Sequence, residues 1–166
     1  MFLNNYFRIK QSAFRLLILA CACFTTATYG GSLPLVSDLA ATAKTAREQR
    51  VPVFVAFTLK RCPYCNTARR DYWTPMNSSE PWRGKVVMVE IMLDGAPALR
   101  DFDGQTTTAR DFARRFNVRS APTVIVFDTT GKPAASPVVG LASADFYAHY
   151  LEQAVEAGLA RVRAAK

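Results

Sequence analysis

Two cysteines separated by two residues, Cys62-Pro63-Tyr64-Cys65, follow an apolar run and precede a segment of helical character. The run, residues 51–57, predicts a buried strand because its apolar residues are nearly continuous rather than alternating. Two thiols at a strand-to-helix turn can close a small disulfide ring, and the free N–H groups that begin a helix favour a thiolate. The pattern predicts a thiol–disulfide exchange site, while a structural disulfide and half of a zinc site remain alternatives.

The first 27 residues have the pattern of a secretory signal. A basic region leads into the apolar stretch 16–24, and small residues precede a cleavage position after Ala27. The apolar stretch is shorter than the ~20 residues that span a bilayer. We therefore expect a signal peptide at residues 1–27 and a single domain at residues 28–166. The alternative is a lipoprotein, in which a lipidated Cys21 would attach the protein peripherally to a membrane.

The cysteine count and the charge limit what the protein can bind. Removal of the leader takes Cys21 and Cys23 with it, so the pair Cys62 and Cys65 would be the only cysteines left, and we expect it to react with external partners. The formal net charge is +8, but the charges are scattered and predict no nucleic-acid binding. Zinc needs about four ligands, which two cysteines and the remote His149 do not supply, so we expect no metal and no other cofactor.

The hydrophobic patterns and turn signals predict helices and strands in the order α-β-α-β-α-β-β-α. The predicted elements are residues 38–50, 51–59, 65–73, 86–93, 108–116, 123–127, 135–140 and a last helix that Ser143 caps and that ends near residue 163. Residues 74–85 and 94–105 are predicted loops. Strands joined by a helix run parallel and a hairpin is antiparallel, so the expected fold is α/β, with a mixed four- to five-stranded sheet and helices on both faces.

This element order and two motifs resemble the thioredoxin superfamily. The motifs are Cys62-Pro63-Tyr64-Cys65 after the first strand and Ala121-Pro122-Thr123 before the third, and the resemblance covers most of residues 37–159. It implies the thioredoxin fold, with Pro122 as a cis proline beside the cysteines and the backbone of Ala121 free to pair with an extended substrate. An ordinary trans proline is the alternative.

The leader, the insertion 74–85 and the loop Asp101-Phe102-Asp103-Gly104 are in addition similar to those of periplasmic SoxW-type thioredoxins. That similarity implies a periplasmic location and a reductase that receives its electrons from a membrane partner. The partners expected on this basis are protein thiols and disulfides, with a possible membrane electron donor.

Cys62 is the expected nucleophile because it lies nearer to the helix N-terminus, and Cys65 is expected to resolve the mixed disulfide, leaving a redox-active Cys62–Cys65 pair. Four neighbouring residues are expected to support the pair, by rigidifying the turn, lining the site or adding positive potential: Pro63, Tyr64, Lys60 and Arg61. The predicted activity is that of a protein-disulfide oxidoreductase. The alternatives are a non-catalytic binding module with a structural Cys62–Cys65 disulfide and a peroxidase on the same fold.

One pair of positions departs from the family pattern. Many thioredoxins carry a buried Asp on the first core strand and a Lys partner on its neighbour, where this chain has Ala56 and Glu90. A glutamate inside an apolar run needs a physical reason. A buried Glu90 carboxyl group could exchange a proton with Cys65, and the alternative is a side chain that points to solvent at the sheet edge.

Overall fold

The computed structural model describes residues 31–141 and 144–165. The predicted leader with Cys21 and Cys23, and the cap expected at Ser143, lie outside these residues. The elements in chain order are α1 (Leu39–Gln49), β1 (Val53–Thr58), α2 (Pro63–Ala68), a π-helical turn (Arg69–Trp73), α3 (Thr74–Ser78), β2 (Val87–Met92), β3 (Ala98–Arg100), β4 (Thr106–Thr108), α4 (Ala109–Arg115), β5 (Thr123–Phe127), β6 (Val138–Val139) and α5 (Ala144–Ala164). Within the described ranges, none of the helices has the length and apolar character needed to cross a bilayer.

The main sheet is mixed and has the strand order β2-β1-β5-β6. β1 runs parallel to β2, with Ala56 opposite Glu90, and antiparallel to β5. The segment 33–36 adds to the outer edge of β2, where the Val36 N–H donates to the Glu90 carbonyl and the Glu90 N–H donates to the Pro34 carbonyl, both at 2.9 Å. The predicted fold class is confirmed.

Helices cover both faces of this sheet, and β1, β2 and β5 are therefore buried on both sides. One face packs against α1 and α4, with a core that includes the buried residues Leu39, Val55, Phe57, Ile91, Phe112 and Phe127. The other face packs against the helical region after the cysteines and against α5, with Phe54, Trp73, Met88, Val126, Leu151 and Val155. All six residues of β1 are buried, as its continuous apolar sequence predicts. The cysteine turn therefore emerges from a strand held on every side.

The helical region after the cysteines extends further than the sequence predicted. Residues 74–78 form α3 instead of a loop, because Pro75 occupies the first turn of that helix, where its missing N–H has no intrahelical role. A π-helical turn joins α2 to α3, an insertion that is frequent near functional sites. Trp73 in this turn is fully buried, and its indole N–H donates to the Tyr147 hydroxyl at 3.1 Å.

Two further strand predictions were inaccurate. The predicted loop 94–105 contains β3, which pairs antiparallel with β4 in a separate two-stranded ribbon. The last strand is limited to Val138–Val139 instead of residues 135–140. Pro137 directly precedes it and has no N–H to donate to the ladder, which shortens the pairing with β5.

Asp128 ties the turn after β5 to the last helix. Its carboxylate accepts hydrogen bonds from the backbone N–H of Thr130 at 2.8 Å and of Lys132 at 3.0 Å, and from Arg161 Nε at 3.0 Å. Burial acts to raise the pKa of Asp128, but the hydrogen bonds from Thr130, Lys132 and Arg161 outweigh it and hold this pKa below its ordinary value.

We expect Asp128→Asn to lower the free energy of unfolding at pH 7 by about 1–2 kcal/mol, because a charged acceptor of several hydrogen bonds is lost. A carboxyl group with a depressed folded-state pKa stabilises the fold above its unfolded pKa, ~3.9, and loses that effect as the pH falls through the folded value. Urea unfolding should therefore show a smaller difference from the wild type at pH 3 than at pH 7. Asp103→Asn, at an exposed acid, is the control, and an Asp128→Asn effect of equal size at both pH values would contradict this account.

Candidate redox site

Cys62 and Cys65 form a disulfide at the start of α2, with their Cα atoms 5.2 Å apart. Cys62 is the N-cap of this helix, and its sulfur accepts the Cys65 backbone N–H at 3.1 Å. Pro63 occupies the first turn, where its fixed φ suits the helix start. After reduction, the same N–H and the helix N-terminus would favour a thiolate on Cys62. In the described part of the chain, no three or more His, Cys, Asp or Glu side chains are grouped so that they could hold a metal ion.

The two sulfurs differ in their access to a partner. Cys62 retains 6% of its surface exposed, whereas Cys65 is completely buried. Pro63 is exposed, and the Tyr64 side chain stands in solvent with 66% of its surface accessible, which fits a wall beside the site better than core packing. This difference favours Cys62 as the sulfur that another protein reaches, with Cys65 placed behind it as the resolving group.

A cis proline loop faces Cys62. The Ala121–Pro122 peptide bond is cis, Pro122 is buried, and the Ala121 carbonyl oxygen lies 3.7 Å from the Cys62 sulfur. β5 begins at the next residue, Thr123, whose hydroxyl donates to the Ser120 carbonyl at 2.8 Å and so fixes the loop. Among the described residues, no backbone hydrogen bond engages the N–H or C=O of Ala121, so both groups remain available to an extended polypeptide.

Glu90 is buried beneath the cysteine helix, with 3% of its surface exposed, which excludes the alternative that it points to solvent. Its carboxylate accepts hydrogen bonds from the Thr58 hydroxyl at 2.5 Å and from Arg69 Nε at 3.1 and 2.9 Å, and Arg69 Nη2 makes a further close contact. The hydrogen bond to Glu90 raises the pKa of Arg69 above its ordinary value. A guanidinium therefore compensates the charge that β2 places in the core.

Arg69 follows Cys65 by four residues, about one helical turn, and so starts from the same side of the helix. Its Nη1 also donates to the Asn66 side-chain oxygen at 2.8 Å, which ties the ion pair to α2. Sequence reasoning missed Arg69, although its spacing from Cys65 and an acid in a buried strand were both readable. Proton exchange between Glu90 and Cys65 stays a prediction.

Lys60 and Arg61 lie exposed in the turn between β1 and Cys62. The turn itself is fixed by Asp94, whose carboxylate accepts the Lys60 backbone N–H at 2.5 Å. Asp94 follows β2 and was not among the predicted site residues. The two cationic side chains add positive potential beside Cys62, an effect that salt screens at exposed positions.

Residues 39–155 match a family model described as a thioredoxin-like domain. No curated protein matches the chain. Similar solved structures include thioredoxin f from spinach chloroplast (12% identity, TM-score 0.52, covering 76% of this chain and 96% of that one), a thioredoxin h from poplar (16%, 0.52, 76% and 97%) and Trxlp from Edwardsiella tarda (18%, 0.51, 73% and 98%). At these identities the likeness shows the fold, and the family match covers most of the chain. The chain belongs to the thioredoxin-like domain family.

Proposed function

We propose that this protein is a periplasmic thiol–disulfide oxidoreductase that reduces disulfides in other proteins. The observation that carries the proposal is the placement of Cys62, a helix N-cap that keeps 6% of its surface exposed, beside the backbone of Ala121 and in front of the fully buried Cys65. A disulfide with a purely structural role needs neither an accessible sulfur atom nor a free backbone segment beside it on which a substrate can align.

The described state is the oxidised one, and the proposed cycle starts from the dithiol. The Cys62 thiolate attacks one sulfur of a substrate disulfide, forms a mixed disulfide and releases the other substrate sulfur as a thiolate, which takes up a proton. Cys65, after losing its proton, attacks the Cys62 sulfur and releases the second substrate thiol. The substrate gains two electrons, and the Cys62–Cys65 disulfide is restored.

The direction and the compartment rest on the resemblance to SoxW-type proteins and on the leader predicted at residues 1–27. The periplasm is oxidising, so a reductase there needs a supply of electrons, for which a membrane thiol–disulfide donor is the proposed source. A lipidated Cys21 would hold the protein at the same membrane as that donor.

The reduction potential of the pair tests the proposal against the alternative of a structural disulfide. We expect a value between about −200 and −270 mV, in the range of glutaredoxins and thioredoxin, while structural disulfides lie below about −300 mV. The purified protein would be equilibrated in dithiothreitol redox buffers, trapped with a thiol reagent and weighed by mass spectrometry. A value below −300 mV would support the non-catalytic binding module instead.

A further inference from the structure

A groove of about 260 Å³ adjoins the cis proline loop that faces Cys62. It is lined mainly by α4, the loop before the cis proline and the ends of β1 and β2, and the lining residues that matter are Leu59, Leu93, Arg110, Arg114, Val118 and Arg119. Ala121 also lines it, and the carbonyl oxygen of Ala121 is the atom 3.7 Å from the Cys62 sulfur. Whatever pairs with the Ala121 backbone therefore places neighbouring side chains in or next to this groove.

The groove is cationic, since three arginines line it and all three are exposed. Arg114 pairs with Asp111 at 2.7 Å, and Arg110 donates to the Leu93 carbonyl at 3.4 Å. Arg119 takes part in no ion pair with any of the residues that the structure describes.

The acids nearby offset only part of this charge. Asp111 pairs with Arg114, and Asp94, which follows Leu93 in the chain, accepts the Lys60 backbone N–H, so two acids stand against three arginines. The side chains of Lys60 and Arg61, exposed on the turn before Cys62, extend the positive charge along the same approach to the disulfide. A negatively charged group that nears Cys62 from this side meets an attractive potential.

We propose, resting on the function proposed above, that this groove selects protein substrates that carry an acidic side chain close to the reactive disulfide. An extended chain advances about 3.3 Å per residue, so a residue two positions from the substrate cysteine reaches the groove when the chain lies along Ala121. The planar fork of an arginine matches a carboxylate, and here Arg119 has no competing partner among the described residues. Leu59 and Val118 provide apolar contact for the methylene groups of a glutamate.

The test compares two disulfide peptides that differ only in charge. Each carries one internal disulfide, with two glutamates beside one cysteine in the first peptide and two glutamines in the second. The protein, reduced with dithiothreitol and desalted, should reduce the glutamate peptide with a second-order rate constant about fivefold higher at low salt, as expected for a few exposed charge pairs. Raising the ionic strength to 0.5 M should shrink this ratio towards one.

Variants then locate the effect. Arg110→Gln/Arg114→Gln/Arg119→Gln should bring the ratio of the two peptides close to one, whereas Arg83→Gln/Arg163→Gln, which removes exposed charges far from the groove in the chain, should leave the ratio unchanged. Equal rates for the two peptides in the wild type, or a preference that survives the triple variant, would overturn the groove proposal while leaving the oxidoreductase function intact. Failure to reduce either peptide or any other disulfide would instead refute the proposed function, and the groove proposal with it.

Discussion

Replacing Cys62 with serine should abolish disulfide reduction by this protein, because the sulfur that a substrate can reach would be gone. Cys62 retains surface exposure and receives the Cys65 N–H, while Cys65 is fully buried, so the remaining thiol cannot take over the attack. Insulin reduction in the presence of dithiothreitol would measure the loss, and the expected rate is that of dithiothreitol alone. Activity retained in Cys62→Ser would contradict the assignment of the nucleophile.

Replacing Cys65 with serine should have a different effect. Cys62 can still attack a substrate disulfide, but the thiol that resolves the mixed disulfide is missing. We expect stable mixed disulfides through Cys62, visible as bands of higher mass on gels without reductant and lost on reduction. The double variant Cys62→Ser/Cys65→Ser is the control and should trap nothing. Normal activity of Cys65→Ser without any trapped species would contradict the assignment of Cys62 as the nucleophile and Cys65 as the resolving cysteine.

Replacing Arg69 should lower the free energy of unfolding more than replacing any other charged side chain named above. Arg69→Gln leaves the Glu90 carboxylate buried without its counter-charge, and breaking a buried pair in this way typically costs about 3–5 kcal/mol. Because one fifth of the Arg69 side chain remains exposed, with a side-chain accessibility of 21%, we expect the lower end, ~3 kcal/mol at pH 7. Urea unfolding would measure the difference.

The neighbouring Arg70 provides a matched control, since its ion pair with Asp71 is exposed and Arg70→Gln should change stability by less than about 0.5 kcal/mol. The variant Glu90→Gln tests whether Glu90 has a role in the redox reaction in addition to its structural role. If Glu90 exchanges a proton with Cys65, the pH profile of disulfide reduction changes in this variant, and an unchanged profile would leave Glu90 with a structural role alone.

The sequence was sufficient to predict those helices and strands whose ends are set by residues close to them in the chain. The predicted helices 38–50 and 108–116 begin at residues that cap them: Asp38 accepts the Ala41 N–H at 2.8 Å, and Thr108 accepts the Asp111 N–H at 3.1 Å. β5 has the predicted bounds, Thr123–Phe127, because a continuous apolar run between a proline and a turn leaves little freedom for its ends. The thioredoxin fold follows from the order of these elements.

What the sequence did not reveal depends on packing between distant segments. The pairing of Arg69 with Glu90 joins residues 21 positions apart and exists only because the cysteine helix lies over β2. The helix through Pro75 depends on a π-helical turn that no hydrophobic period indicates. The groove beside Ala121 brings together residues from four separate stretches of chain, so its arginines looked like scattered solvated charges in the sequence.

The pairing of residues 33–36 with β2 has a consequence for how copies of the protein meet. An open strand edge invites another copy to add its own strand, which leads to aggregation. Here one edge of the sheet is occupied at Glu90 by the chain's own segment, and the other ends in the two-residue strand β6 behind Pro137. Self-association by strand addition is therefore disfavoured at both ends of the sheet.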